Sequence, residues 1–97
     1  LPPSSRIIAQ GSQIRAVLLS RIDTRNPGNV IAQVTADHYD SIRAETLLIP
    51  KGSRLIGAYA NSVSPGNTQL AIAFSRLMLP DGRAIDLGGM PATGNDG

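Results

Sequence analysis

The chain has 97 residues, a formal net charge of +2 and 41% hydrophobic residues, which fits one domain and excludes two. Apolar content near half excludes wholesale disorder, and an aromatic content of 3% leaves aliphatic side chains and alanines to fill a thin core. At this size a domain buries only roughly 60–65% of the surface its unfolded chain exposes, so stability is expected to be marginal unless neighbours cover part of it. There is no cysteine, hence no disulfide, no Cys-based zinc site and no thiol nucleophile. Apolar runs such as Ala16–Leu19 and Leu77–Leu79 fall far short of the roughly 18 residues of a membrane helix. Leu1-Pro2-Pro3 carries neither an initiator Met nor a signal-peptide pattern, and a piece of a longer polypeptide is expected.

Proline and glycine punctuate the chain at Pro27-Gly28, Pro50-Lys51-Gly52, Pro65-Gly66 and Pro80-Asp81-Gly82, between runs of β-branched and aliphatic residues, as in a meander of strands. The first strand is expected from Ile14, with Ile14, Ala16, Leu18, Ser20 and Ile22 on one face and Arg15 and Arg21 on the other. Asn26-Pro27-Gly28-Asn29 fits a type II turn, with Gly28 at φ > 0. A short strand follows over 30–35. Asp37 to Glu45 shows no strong alternation, and Asp40 or Ser41 is read as capping a single helical turn. After a strand over 46–49, Ile49-Pro50-Lys51-Gly52 reads as a chain reversal made by a type I turn, a left-handed glycine and a bulge. Leu55–Val63 and Leu70–Leu79 then form a long hairpin about the type II turn at Pro65-Gly66. Gly57, inside the first of these, marks a bulge, a bend or a close backbone approach. Leu79-Pro80-Asp81-Gly82 repeats the type I turn with bulge before a last strand over 84–87. Six strands without a covering helix must close or fold over on themselves, giving an all-β fold, a small antiparallel barrel or sandwich. The expected organisation is a lead-in at 1–13, a β-barrel domain at 14–87 and a Gly-rich linker at 88–97.

Catalytic chemistry finds little support. His38 in Asp37-His38-Tyr39-Asp40 is the one histidine; in an extended segment its neighbours point away, and no second His completes a metal set. The serines at 41, 53, 62, 64 and 75 stand in no nucleophile motif. Lys51-Gly52-Ser53 holds P-loop residues in the wrong order, and no cofactor is expected. The basic residues, eight Arg and Lys51, are scattered and read as solvated sheet faces. Arg15 and Arg21 are the candidates for contact with acidic groups of a partner. An alternative function, single-stranded nucleic-acid binding by a basic barrel, requires stacking aromatics on one face, and Tyr39, Tyr59 and Phe74 are a meagre supply.

Several stretches resemble one family. Gly11-Ser12-Gln13-Ile14-Arg15-Ala16-Val17-Leu18, Asn26-Pro27-Gly28, Tyr39-Asp40-Ser41, Leu47–Tyr59 with its LIPKGSRLIGAY block, and Phe74-Ser75-Arg76-Leu77-Met78-Leu79-Pro80-Asp81-Gly82 look like the TrbI-like scaffold proteins of bacterial type IV secretion and conjugation systems. The matching motif positions are Pro50, Lys51, Gly52, Ser53, Gly57, Tyr59, Phe74, Arg76, Pro80, Asp81 and Gly82; family members often carry Trp where Phe74 stands. The resemblance implies a non-enzymatic, periplasmic β-barrel domain near the C-terminus of a long protein that runs from an inner-membrane helix to the outer membrane. It also implies assembly as a ring, with an outer-membrane lipoprotein and a second β-rich core protein as partners and cytoplasmic ATPases engaged indirectly through other regions. Direct contact of this segment with membrane or nucleic acid is not expected, and Gly88–Gly97 resembles the loop leading to an outer-membrane helical hairpin.

Overall fold

The computed structural model describes residues 3–9, 14–23, 25–42, 45–64 and 66–94. Parts of the readings above, at 11–13, 43–44, 65 and 95–97, lie outside the described residues. Eight strands follow one another: β1 (Arg6–Ala9), β2 (Ile14–Leu18), β3 (Gly28–Val34), β4 (His38–Ile42), β5 (Glu45–Ile49), β6 (Arg54–Ser64), β7 (Asn67–Met78) and β8 (Ala84–Gly94). Six of them form a closed barrel in the order β1-β2-β3-β6-β7-β8, every pair antiparallel, while β4 and β5 pair only with each other as a side hairpin between β3 and β6. Of the barrel or sandwich of six strands expected, the all-β barrel is present, although the strand expected over 46–49 is β5 of the side hairpin and not a barrel strand. Arg6–Ala9, inside the expected lead-in, is a barrel strand, and β8 runs on through Gly88 and Gly89 to close against it by pairing Ile7 with Gly94 and Ala9 with Ala92.

The interior is made by alternation. Ile14, Ala16 and Leu18 on β2 and Val30, Ala32 and Val34 on β3 are buried, while the residues between them face outward. Facing partners pair bulk with absence of bulk: Ile7 with Ala16, Ala9 with Ile14, Ala16 with Val34, Leu18 with Ala32, Ala32 with Leu55, and Val30 with Gly57. Six strands close a narrow barrel, and its interior is filled by pairing one large side chain with a small one. Phe74, completely buried, lies opposite Gly57.

That last pair marks a bulge. The β6–β7 register slips between Ile56 and Gly57, leaving Ser75 as the extra residue of β7, and the apolar face therefore changes parity. Ile72 and Phe74 point inward before Ser75, and Leu77 and Leu79 point inward after it; an unbroken alternation would have placed Arg76 and Met78 inside. β8 is irregular at the same level, where Phe74 pairs with Met90 but Arg76 with Asp86. Gly88 and Gly89 there have φ of 67° and 90°, and Gly88 N–H donates to Asp86 Oδ1 at 2.8 Å.

Other sequence expectations are met or corrected at the turns. Gly82 takes φ 94° and donates its N–H to Leu79 O at 2.9 Å while Leu79 N–H donates to Arg83 O at 2.8 Å, the expected type I turn with a glycine bulge. Gly66, φ 75°, meets the demand of the third place of a type II turn. Gly28 does not: it has no positive φ, the chain bends instead where Asn26 N–H donates to Asp23 O at 3.2 Å, and Gly28 opens β3. At Pro50-Lys51-Gly52 the hydrogen bond runs from Ser53 N–H to Pro50 O at 3.1 Å, so Gly52, φ 94°, stands one place earlier in its turn than expected. That turn also joins the side hairpin to the barrel and not two paired strands. The helical turn expected over Asp40–Glu45 is replaced by strands β4 and β5, because Tyr39↔Leu48 and Asp40↔Leu47 pair across the hairpin.

The β6–β7 hairpin is longer than its neighbours. β3 pairs with β6 only as far as Tyr59, whereas β6 continues against β7 to Ser64↔Asn67. A two-stranded ribbon thus stands out from the barrel, in a molecule whose extents are 41 × 25 × 21 Å.

Candidate assembly surface

The motif residues are divided between internal framework and surface. Ser53 is fully buried, its Oγ donating to Pro50 O at 2.7 Å and its carbonyl accepting Val34 N–H at 2.8 Å; a buried hydroxyl at this point locks the turn onto β3. Lys51 N–H donates to Asp37 Oδ1 at 2.7 Å, tying the root of the side hairpin to the same turn. Gly57 is where β7 comes closest: a Cβ there would overlap Ala73 O and lie 2.7 Å from Phe74 Cα. Tyr59 is nearly buried, its ring lies on Gly28, where a Cβ would be 2.9 Å from Tyr59 Oη, and that hydroxyl accepts Asp23 N–H at 3.1 Å. Tyr59 therefore fixes the β2–β3 connection through a long-range contact, a role that turn chemistry at Pro27-Gly28 did not reveal.

Two surface carboxylates are held by the turns they occupy. Arg25 donates to Asp23 through its side chain at 3.0 Å and through its backbone N–H at 3.0 Å, which lowers the Asp23 carboxyl to about 2. Asp81 is lowered in the same direction, first by the Arg83 backbone N–H and also by its guanidinium, 2.8 Å away.

The other described arginines, Arg6, Arg15, Arg21, Arg54 and Arg76, are exposed. Arg6 on β1 faces Val17 on β2, and Ile8 faces Arg15; with Thr35 these residues line a depression of about 290 Å³. Leu19 and Ile31 continue the apolar strip, 41% and 37% exposed, and Ile31 pairs with Ile56. Arg54 faces Gln33 across β3, and Arg76 faces Asp86 across β8. Among the described residues Arg6, Arg15 and Arg54 form no ion pair. The outer face of β1–β2–β3–β6 is thus apolar along its middle and edged by guanidiniums, a composition suited to a protein partner. Arg15 belongs to it; Arg21 is exposed but beyond the end of β2, so the two do not share a strand face.

For other chemistry the arrangement offers less. No three of His, Asp and Glu gather as a metal site among the described residues. His38 is half-buried on β4 opposite Ile49, and Ser75 Oγ donates to Ile56 O at 3.2 Å. Phe74 and Tyr59 are core residues, which leaves Tyr39, 70% exposed, as the single surface aromatic and removes the platform that strand-stacking of bases needs. No helix among the described residues is long and apolar enough to cross a membrane.

Comparison with known proteins gives this surface its context. A family model described as "Bacterial conjugation TrbI-like protein" matches residues 7–97. The probable conjugal transfer protein TrbI of Sinorhizobium fredii is 36% identical over 90 residues, covering 93% of this chain and 21% of that protein. The type IV secretion system protein virB10 of Brucella ovis is 35% identical over 81 residues, 84% of this chain and 21% of that protein. Among solved structures, ComB10 of the Com type IV secretion system of Helicobacter pylori superposes with a TM-score of 0.66 at 37% identity, over 88% of this chain and 44% of that one. The chain accordingly spans about a fifth of the length of these curated relatives. A closed barrel, the LIPKGSRLIGAY turn locked by Ser53 and a match over nearly all its residues together place the chain in the TrbI-like family.

Proposed function

We propose that this segment is the periplasmic β-barrel domain of a ring-forming, non-enzymatic scaffold in the core complex of a type IV secretion or conjugation system, through which DNA or protein crosses the cell envelope. The observation that carries the reading is the family match over 7–97; the arginine-edged apolar outer face supports it, because such a face serves contact with other proteins. In this reading the barrel is the rigid unit, and its partners are further copies of itself, an outer-membrane lipoprotein and a second β-rich core protein. The parent protein is anchored in the inner membrane, reaches the outer membrane and is coupled to cytoplasmic ATPases through regions outside this segment. Pro50, Lys51, Gly52, Ser53, Gly57, Tyr59, Phe74, Pro80, Asp81 and Gly82 act as framework, and Arg15, Arg21 and Arg76 are surface positions.

The experiment is complementation of a knockout strain with the full-length protein carrying Arg15→Glu and Arg21→Glu, scored for transfer efficiency and for high-mass assemblies in envelope extracts. Lower transfer with a folded barrel is expected. Normal assembly and transfer would reject these two arginines as contacts, and normal transfer after deletion of residues 6–94 would reject the scaffold function.

A further inference from the structure

We propose that the β4–β5 hairpin of one copy docks on the outer face of β1 and β2 of a second copy, with the Tyr39 ring seated between the Arg6 and Arg15 guanidiniums. The inference rests on the ring reading above and names the surfaces by which one barrel meets the next.

The hairpin is built to project. Its root is fixed, since Ile49 is in the core and Asp37 holds Lys51 N–H, yet beyond the root β4 and β5 pair only with each other. A two-stranded sheet is marginal alone in water, and here the cross-strand pair Tyr39↔Leu48 is 70% and 42% exposed. Ile49 and Leu47 turn the other side of the ribbon to the core, so this aromatic and leucine lie on its outer side and are surface that association removes from water.

The receiving face has the complementary chemistry. The depression beside β1 and β2 is lined by Ile8 and Val17 together with Arg6 and Arg15, each arginine paired across the strands with one of the two apolar residues and neither guanidinium ion-paired among the described residues. A guanidinium is attracted to the face of a tyrosine ring. Residues 37–49 carry Asp37, Asp40 and Glu45 against Arg43 alone, whereas β1 and β2 carry arginines and no acid, so arm and face attract across the approach.

Within one molecule the pairing His38↔Ile49, with Ile49 buried, holds Tyr39 out in solvent although Thr35, four positions earlier, rims the depression. The arm therefore serves a neighbour. Because arm and face are different surfaces, the contact is heterologous and repeats from copy to copy, as a ring requires.

The test uses the full-length protein in its native envelope with Tyr39→benzoylphenylalanine, irradiated, and with adducts sized and mapped by mass spectrometry. A two-copy adduct joined to the peptide spanning 6–17 is expected. Arg15→Glu should lower its yield about fivefold or more, and Arg54→Glu should leave it unchanged. Adducts confined to one chain, to another protein or to another part of the barrel, in cells where high-mass assemblies persist, would overturn the docking and leave the ring standing. Absence of any high-mass assembly from the unsubstituted protein would overturn both.

Discussion

Gly57→Ala tests how tightly the barrel is closed. The new methyl group would overlap Ala73 O and come within 2.7 Å of Phe74 Cα and 2.9 Å of Ala73 C. All three are backbone atoms, so no side-chain rotation relieves the clash, and β6 and β7 must part at the level of the bulge. Overpacking costs about 1–3 kcal/mol where side chains can yield; with backbone on every side the upper value, about 3 kcal/mol, is expected. For a domain of this size that lowers the melting temperature by roughly 12–24 °C and the urea midpoint by about 1–3 M. Gly82→Ala is the control, since its φ of 94° is strained for alanine but nothing lies within 4 Å; it should lose only about 1–2 kcal/mol. Urea unfolding followed by circular dichroism ranks the two. A Gly57→Ala midpoint no lower than that of Gly82→Ala would refute the claim that close backbone approach, and not dihedral freedom, requires glycine at 57.

Gly66→Val, placed at φ 75° with open space around it, should lose at least about 1 kcal/mol through backbone strain, read as a lower urea midpoint with unchanged slope. Tyr59→Phe deletes the acceptor of Asp23 N–H and should lose about 1 kcal/mol, with faster amide exchange at Asp23 as its specific signature. Stability should fall on acidification, because Asp23, at about 2 against an ordinary 3.8, and Asp81 both have lowered carboxyl values in the folded state. Their contribution is complete above the unfolded value and is lost as pH drops from about 4 towards 2; midpoints measured from pH 5 to 2 should decline less in the Asp23→Asn, Asp81→Asn double variant.

The parts of this fold that could be read from sequence are those whose cause is local. Gly82 after Pro80-Asp81 specifies its turn by dihedral demand alone, and an isolated glycine at 57 within an apolar run announced a close approach. Ser75 was unreadable, because a bulge depends on what lies across the sheet: the period-two pattern through Phe74 and Arg76 looks unbroken until Gly57 is known to face Phe74. β5 is legible as the strand over 46–49, whereas β4 is not, for another reason. The hairpin residues that reach the core, Ile49 and Leu47, both lie on β5, and β4 has no core residue among those described to give its sequence a contrast between alternate positions. β8 was cut short at Leu87 because Gly88 and Gly89 resemble a linker, whereas they form an irregularity after which pairing resumes. The arginine-edged face was half legible: Arg15 alternates correctly with the core residues of β2, but its grouping with Arg6 depended on a four-residue strand too short to show a period.

The seam between β1 and β8 governs the order in which the molecule can form. The β6–β7 ribbon pairs residues adjacent in sequence and closes cheaply in entropy, so it is the natural nucleus. β1, by contrast, finds its second neighbour only when the strand made last among the described residues arrives, and until then the cylinder is an open sheet with two bare edges. Folding is thereby delayed until the segment is nearly all synthesised. The exposed edges make the interval before closure the period of greatest risk of misassociation.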